Sequence, residues 1–407
     1  MASPLTAIPD HLLVEIFLLL PDPADLARAS ATCVSFRRLT TDGSFLRSFR
    51  RLHAPPLLGF LEPGRFRPTL PPHPSASAAH AFALAADLSF SFLPSHCRWT
   101  VQDIRDGRVL LHHEPRKGEE PPVFRELAVC DPLHRRYVLL PPVPDDLAAS
   151  VEDPIPMVHR PQCKSSLVPL DDEETAAAEA TSYRVLWMTY SETKLAAIVF
   201  FSSTGQWQIT SSKDWSDLVI GRGELTIMPH ALQPILLNLH CAYGCLYWDW
   251  LIIRRKKLLM LDTRRMEFSI TELPPGEWSC HRTAIVEAGE GRLGVFGLDD
   301  EISSDLKYMI ARNKGEGPSQ CQMEKTISLE PGYQYYIRAA TERYLLFTRT
   351  EEGFAHKYPN KSPLVEYFSM DVKTLQLQRV CAKKVKNMHF PLIYTNFPPS
   401  LLSSRTI

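Results

Sequence analysis

The sequence predicts a small all-α domain at the N-terminus, followed by a large all-β domain. Two patterns indicate this. Apolar residues recur with a helical period over the first fifty residues, and pairs of short strand-like segments joined by turn residues recur beyond residue 98. The chain has 407 residues, more than one typical domain, and its 34 prolines against 18 glycines favour many short elements over long helices.

The first predicted helix lies between Pro9 and Pro21, because proline lacks the amide hydrogen that an interior helical turn needs. Its apolar residues fall on a stripe of helical spacing and are Leu12, Leu13, Ile16, Phe17 and Leu20. A segment this short cannot bury so many large apolar side chains within itself. It therefore predicts a helical cluster that completes its core against another protein.

Three more short helices are predicted before residue 53. The second opens with Asp22 as N-cap and Pro23 at its first position, the third begins near Ser35, and the fourth runs from Ser44 to Leu52. Their apolar positions are Leu26, Ala29 and Cys33 on one face of the second helix, Phe36 and Leu39 on the third, and Phe45, Phe49 and Leu52 on the inward face of the fourth, opposite Arg47, Arg50 and Arg51.

The order and spacing of these residues resemble the F-box, and the segment is most similar to the F-boxes of plant, grass-type proteins. Ile8 stands where leucine usually precedes the proline, and Phe36 stands where tryptophan is usual, but both keep a large apolar group. The positions that agree are Ile8-Pro9, Leu12-Leu13, Glu15-Ile16, Leu20-Pro21, Leu26, Cys33, Phe36-Arg37 and Leu39.

This resemblance implies an F-box domain over residues 1–53 that docks on a Skp-type adaptor and, through it, on a cullin. The chain would then be the substrate-recognition subunit of an SCF-type cullin–RING ubiquitin ligase, with an unknown target protein. The adaptor-binding residues that the resemblance implies are Ile8, Pro9, Leu12, Leu13, Ile16, Phe17, Leu20, Pro21, Leu26 and Phe36. The alternatives are a helical hairpin packed on its own downstream domain and a non-degradative Skp-binding adaptor. A signal peptide is disfavoured, since the apolar run has no basic flank and contains Glu15.

Residues 54–97 are rich in proline, alanine and serine and are expected to form an irregular connector, able to contribute a closing strand but not a helix. Residues 98–400 are expected to form the all-β domain. There, five units of strand, turn and strand recur at a spacing of about 40–70 residues, as the blades of a β-propeller do. A sixth blade would join the connector to Leu392-Ile393-Tyr394. The array resembles the F-box-associated propeller-like domains, with a β-sandwich or an irregular all-β domain as the alternative.

Three polar segments interrupt the array. Residues 171–180 are expected to be a solvated loop, and residues 313–318 the tip of a hairpin. The basic run Arg254 to Lys257 is interpreted as a hairpin turn, with a nuclear-targeting or acidic-partner patch as the alternative.

No catalytic or metal-binding motif is found, so no catalytic residue, metal or cofactor is expected. His240, Cys241 and Cys245 lack a fourth zinc ligand, and adjacent residues such as His112 and His113 point to opposite faces of a strand. An enzyme with a site in the propeller channel would need a cluster of titratable residues there, for which the sequence offers no candidate. The aromatic residues to consider first for target recognition are Trp207, Trp215, Trp248 and Trp250.

Composition favours some classes of binding partner and some cellular compartments over others. A net charge of −1 argues against nucleic acid or a membrane surface as the main partner, and no run approaches the roughly eighteen apolar residues of a transmembrane helix. Nine scattered cysteines favour a reducing compartment, the cytoplasm or nucleus or both.

Overall fold

The N-terminal domain consists of four short helices. The computed structural model describes residues 8–20, 23–53, 55–63, 65–94, 98–115, 124–150, 165–169, 182–190, 194–218, 235–252, 255–274, 282–298, 305–354, 361–385 and 390–395. The helices are α1 (Asp10–Leu18), α2 (Pro23–Thr32), α3 (Val34–Thr40) and α4 (Gly43–Leu52). Asp42 caps α4, since its carboxylate accepts from the amides of Ser44 and Phe45, and Cys33 Sγ accepts from the amide of Phe36 at the start of α3.

One apolar core holds these helices together. It contains Leu13, Phe17, Leu26, Phe45, Leu46 and Phe49, and the ring of Phe36 packs edge-on against Phe17 at 5.0 Å. Two side chains that the sequence predicts to point inward are exposed instead. Leu52 is exposed at the last residue of α4, and Cys33 is exposed because it caps α3 instead of lining α2.

Six antiparallel sheets follow, arranged as the blades of a β-propeller. The first complete blade has β3 (Arg98–Arg105), β4 (Arg108–Glu114), β5 (Leu127–Asp131) and β6 (Arg136–Leu139); the strands β1 and β2 belong to the closing blade described below. The second blade has β7 (Ser166–Val168), β8 (Arg184–Tyr190), β9 (Lys194–Phe201) and β10 (Gln206–Asp214). The third has β11 (Ile235–Ala242), β12 (Cys245–Ile252), β13 (Arg255–Asp262) and β14 (Glu267–Glu272). The fourth has β15 (Thr283–Glu287), β16 (Leu293–Leu298), β17 (Asp305–Ala311) and β18 (Cys321–Ser328), and the fifth has β19 (Tyr333–Ala340), β20 (Tyr344–Glu351), β21 (Leu364–Asp371) and β22 (Leu377–Lys384).

The sixth blade closes the ring with strands from both ends of the domain, β1 (Leu57–Glu62), β2 (Arg65–Pro68) and β23 (Leu392–Thr395). Strands β1 and β23 pair in antiparallel register, with Phe60 opposite Ile393 and Leu61 opposite Leu392. Phe60 is fully buried and its ring stacks on Tyr367 of the fifth blade at 4.7 Å. The predicted propeller and its closing strand near Ile393 are thus confirmed.

The expectation that residues 54–97 contain no helix is wrong. Helix α5 (Ala76–Ala85) packs against β1 and β2, with Ala79 and Phe82 buried in a core that also contains Tyr394. Six of the ten residues of α5 are alanine, the best helix former, and burial of Phe82 against the closing blade provides the packing that so short a helix needs.

Two polar segments can be compared with their predictions. Residues 313–318 follow β17 and form the predicted turn, in which Gly315 has a positive φ of 76°. Arg255, Lys256 and Lys257 belong to β13 and pair with Ile252, Leu251 and Trp250 of β12. The predicted hairpin turn over these three residues is therefore wrong. Residues 171–180 and Arg254 lie outside the described residues.

The two faces of the disc differ in their connections. One face of the disc contains the C-terminal ends of the innermost strands β3, β11, β15, β19 and β23. We call it the entry face, because the chain also enters β1 there, at Leu57 opposite Thr395. At this face the first and third blades have tight turns between their first two strands, Asp106-Gly107 and Tyr243-Gly244, and all four residues have positive φ. Connections that begin and end at the opposite face, the loop face, include residues 115–126, 140–165 with helix α6 (Asp145–Ala149), 215–234 with helix α7 (Trp215–Leu218), and 352–363.

Ring closure predicts the effect of substituting Phe60. Phe60→Ala should reduce the free energy of unfolding by about 3–5 kcal/mol, because a fully buried aromatic ring between the closing and fifth blades is lost. Urea denaturation of the full chain measures this, with Met323→Ala as the control, since Met323 is exposed on an outer strand. Equal denaturation midpoints for the two variants would contradict the closure described.

Candidate functional site

Helix α1 carries an apolar stripe that its own domain leaves uncovered. Leu12, Ile16 and Leu19 are 41%, 48% and 79% exposed, although Leu13 and Phe17 of the same segment are 5% exposed. The three exposed residues are spaced by four and then three positions, so they lie on one face of the helix. Val34, at the start of α3, is a further exposed apolar side chain, at 83%. Exposed apolar side chains grouped in this way mark a protein interface.

The ten residues predicted to bind an adaptor fall into separate groups. Leu12 and Ile16 are exposed and accessible to a partner, and so is Pro9. Leu13, Phe17 and Leu26 are buried in the domain's own core, while Ile8, Leu20 and Phe36 are half-buried against it. Pro21 lies outside the described residues. The apolar stripe predicted from the sequence combined two faces of α1, because Leu12 and Leu13 are both apolar. The predicted set of adaptor-binding residues also left out Leu19 and Val34.

Polar contacts fix the orientation of α1 against the other helices. Arg38 Nη2 of α3 donates to Asp10 Oδ2 at 2.6 Å at the first turn of α1. At the other end, His53 Nε2 lies 2.7 Å from the carbonyl oxygen of Leu18, which accepts its hydrogen bond. Both ends of α1 are thereby tied to the helices behind it, so the exposed stripe is held rigidly before any partner binds.

A second candidate site lies at the entry-face end of the propeller channel. Arg105, at the end of β3, donates to Glu342 in the turn after β19, so the pair joins the first and fifth blades across the closing blade. Cys241, near the end of β11 in the third blade, also hydrogen-bonds Glu342. Asp103 accepts from the amide of Leu167 on β7 at 2.8 Å. Side chains from three blades and a backbone amide from a fourth therefore meet at this end of the channel.

Each ionisable group of this cluster is shifted by burial and by its neighbours. Burial opposes ionisation of Glu342, but the Arg105 guanidinium outweighs it and holds the pKa of that carboxyl below its ordinary value. Burial raises the pKa of Asp103, which Arg105 offsets only in part. Burial also raises the pKa of the Cys241 thiol. The neutral thiol and the Arg105–Glu342 pair are thus the stable forms at pH 7.

The sequence offered no candidate for a titratable cluster in the channel, and the structure shows one around Arg105. Asp103, Asp106 and Glu342 all act electrostatically on Arg105, although Glu342 is 237 positions away from it. Segments so distant in sequence leave no local motif, which is why the sequence did not indicate the cluster. No group of three or more His, Cys, Asp or Glu side chains able to hold a metal ion occurs among the described residues.

The other chemically suggestive residues are mostly structural. His112 Nε2 lies 2.9 Å from Glu114 Oε1, a contact between residues two apart on one face of β4. Arg125 contacts the same imidazole at 2.9 Å. His240 and Cys241 are buried, consistent with structural roles. Trp207, Trp215 and Trp248 are buried in the blade cores, so they form no recognition face, and the side chain of Trp250 lies outside the described part of the chain.

The channel ion pair predicts a pH-dependent stability. Glu342→Gln should lower the free energy of unfolding at pH 7 by about 2 kcal/mol, because Arg105 loses its charged partner. A carboxyl with a lowered folded pKa contributes its full stability above its ordinary value of 4.5, and this contribution is lost as the pH falls through the lower folded pKa. The difference between wild type and variant should therefore be constant above pH 4.5 and shrink below it, as measured by urea denaturation across pH.

Glu290→Gln is the control for this measurement, since the Glu290 side chain is 78% exposed and should contribute little. A difference between wild type and Glu342→Gln that disappears already near neutral pH would show that Glu342 is not ionised against Arg105.

Comparison with known proteins identifies the helical domain. Residues 5–51 match the F-box-like family model, which covers α1 to α3 and most of α4. No curated protein matches the chain. No helix of the described residues is long and apolar enough to cross a membrane.

Solved structures that match the chain are distant. Periplasmic gluconolactonase of Pseudomonas aeruginosa is 13% identical over 71% of this chain and 72% of its own, with a TM-score of 0.37. Tricorn protease is 12% identical over 70% of this chain and 27% of its own, with a TM-score of 0.35. An oligogalacturonate lyase in complex with manganese is 9% identical over 69% of this chain and 63% of its own, with a TM-score of 0.34. Similarity this low transfers no activity. The chain thus joins an F-box-like domain at residues 5–51 to a six-blade β-propeller.

Proposed function

We propose that this protein is the substrate-recognition subunit of an SCF-type cullin–RING ubiquitin ligase. The F-box-like domain docks on a Skp-type adaptor, and through it on the cullin, while the propeller binds a target protein. The proposed compartment is the reducing cytoplasm or nucleus. The resemblance of the N-terminal helices to plant F-boxes and the family match at residues 5–51 support the docking role.

The observation that carries this proposal is the uncovered stripe of Leu12, Ile16 and Leu19. Their domain already has a complete core in Leu13, Phe17 and Phe49, so these three side chains have no role in its interior. Burying a large aliphatic side chain contributes about 1.5–3 kcal/mol. Three such residues, held on one rigid helix, supply the few buried anchors from which a helix-to-helix interface gains most of its binding energy.

The propeller suits the second half of this role. A closed ring of six blades is rigid and leaves few free strand edges, so it presents a fixed binding surface. The long connections between β4 and β5, β6 and β7, and β10 and β11 all begin and end at the loop face. In the proposed function the chain makes and breaks no bonds. It raises the effective concentration of the target near the ubiquitin-transferring subunits.

An enzyme with a channel site is the rival function, and the cluster around Arg105 is the observation that favours it. The groups of that cluster already satisfy each other, however. Arg105 pairs with Glu342, and Asp103 accepts from two backbone amides, of Ile104 and Leu167. A catalytic acid or base needs a free position toward a substrate, so this arrangement favours a structural role that closes the channel.

Adaptor docking predicts the effect of changing the exposed stripe. Leu12→Asp combined with Ile16→Asp should weaken binding to a Skp-type adaptor by about 100-fold or more, because two apolar anchors become charged. Both side chains are exposed, so the thermal midpoint of the full chain should stay unchanged. Titration of the adaptor by calorimetry measures the affinity. Leu84→Asp is the matched control, since Leu84 is 75% exposed on α5, and it should bind normally. Normal binding by the double variant would contradict the docking assignment.

The degradative role is tested separately from docking. Proximity labelling in cells, with and without proteasome inhibition, should reveal proteins that accumulate next to wild type only when the proteasome is blocked. The Leu12→Asp, Ile16→Asp variant should contact the same proteins without accelerating their turnover. Partners that bind wild type with unchanged half-lives would instead favour a non-degradative adaptor.

A further inference from the structure

Strand β18 is an outer edge of the propeller that no described strand covers. The strands of the fourth blade are ordered β15-β16-β17-β18, so β18 pairs with β17 along one edge, and its other edge pairs with no described strand. Five consecutive residues of β18, from Gln322 to Thr326, are exposed. Because adjacent side chains of a strand point to opposite faces, both faces of β18 are open to solvent at its middle.

The other long outer strands are packed more closely against their blades. In β10, β14 and β22 an apolar side chain of the strand is buried, and these residues are Trp207, Phe268 and Val380. In β18 only Cys321, its first residue, is buried, and the apolar side chain of Met323 is 51% exposed. The middle of β18 is therefore accessible to a second chain.

The two charged residues of β18 lie at its centre and have opposite signs. Glu324 and Lys325 are the fourth and fifth of the eight residues Cys321–Ser328, and both are exposed. When two copies of β18 lie side by side in antiparallel direction, with their centres aligned, Glu324 of each copy lies opposite Lys325 of the other. Opposite charges placed directly across two antiparallel strands stabilise the pair. The edge of β18 is therefore complementary to a second copy of itself.

This complementarity is absent from two other outer strands of similar length. In the same arrangement, two copies of β14 would place Glu267 opposite Glu272. The charged residues of β22 are all basic, and they are Arg379, Lys383 and Lys384. Like charges that face each other across two strands destabilise the pair. Of these three strands, β18 is the one whose charges favour pairing with its own copy.

A β-bulge limits how much of this edge can pair. The register between β17 and β18 shifts at Glu324, which has no counterpart in β17, since Tyr308 lies opposite Lys325 and Met309 lies opposite Met323. A bulge increases the local twist of a strand, and natural sheets use bulges to restrict pairing at their edges. We therefore expect a short and reversible contact rather than a permanent continuous sheet.

We propose that two copies of this chain associate through their β18 strands, paired in antiparallel direction with Glu324 of each copy opposite Lys325 of the other. The same patch of both copies forms the contact, as a two-fold symmetric interface requires. The proposal does not depend on the receptor function. Combined with that function, it gives one dimer two F-box-like domains and two propellers, so a target with two binding segments would bind with higher avidity.

Sedimentation of the purified full chain over a range of concentrations at low ionic strength tests this pairing. The average mass of the wild type should rise with concentration from that of one chain toward that of two. Glu324→Lys alone and Lys325→Glu alone should each weaken the dimer about tenfold or more, because like charges then face each other at two positions. Glu324→Lys combined with Lys325→Glu places opposite charges across the interface again, so this double reversal should restore dimerisation.

Lys314→Glu is the matched control for Lys325→Glu. Lys314 is exposed in the turn after β17 of the same blade, so the substitution makes the same charge change away from the β18 edge and should leave the dimer unchanged. Added salt gives an independent measurement, because it screens exposed charges. It should reduce the difference in dimer affinity between the wild type and the two single reversals.

The exposed stripe of α1 is a second surface through which copies could associate, so the series is repeated with the Leu12→Asp, Ile16→Asp variant, which should still dimerise. A wild type that stays monomeric over the whole range, dimers that the single reversals leave unchanged, or a double reversal that fails to restore pairing would overturn the proposal. Loss of the dimer in the α1 variant would overturn it as well. Adaptor binding is measured separately, so this proposal and the receptor function can fail independently.

Discussion

The pairing of β1 with β23 is the interaction on which the rest of the propeller depends. It joins strands more than 300 residues apart, and Phe60 extends the contact into the fifth blade by stacking on Tyr367. Because contacts of such sequence separation form against a large loop-closure entropy, the buried apolar residues Leu57, Phe60 and Ile393 and the surrounding core must compensate for it. Only a closed ring places the ends of β3 and β19 close enough for Arg105 to contact Glu342.

Ring closure also gives the two faces of the disc different properties. The chain enters β1 at the entry face, where Arg105 of the first blade contacts Glu342 of the fifth. The loop face has several long connections, including those between β4 and β5 and between β10 and β11. The exposed stripe of α1 lies on a separate helical domain with its own core.

The sequence indicated the helices of the N-terminal domain and the outer strands of each blade, because both have strong local patterns. Segments such as Leu258–Asp262 are continuous apolar runs next to turn residues, and proline and aspartate mark the ends of α1 and the start of α4. The innermost strands other than β23 were missed. Strand β7 has only three residues, and Asp103, Arg105 and Arg338 interrupt any apolar pattern in β3 and β19. Local periodicity also could not tell Leu12 from Leu13, since only the packing of Phe45 and Phe49 decides which face of α1 is buried. The sequence did not indicate the charged cluster around Arg105 for a related reason, since its members come from different blades.

In the proposed function, the exposed face of α1 binds the adaptor while the propeller stays available for a target. Hydrogen exchange of the full chain, alone and saturated with a Skp-type adaptor, tests this most directly, because exchange reports protection segment by segment. We expect slower exchange in residues 8–20 and at the start of α3, and unchanged exchange in the strands of all six blades, including β1 and β23. Slower exchange in the propeller strands, with no change in α1, would contradict it.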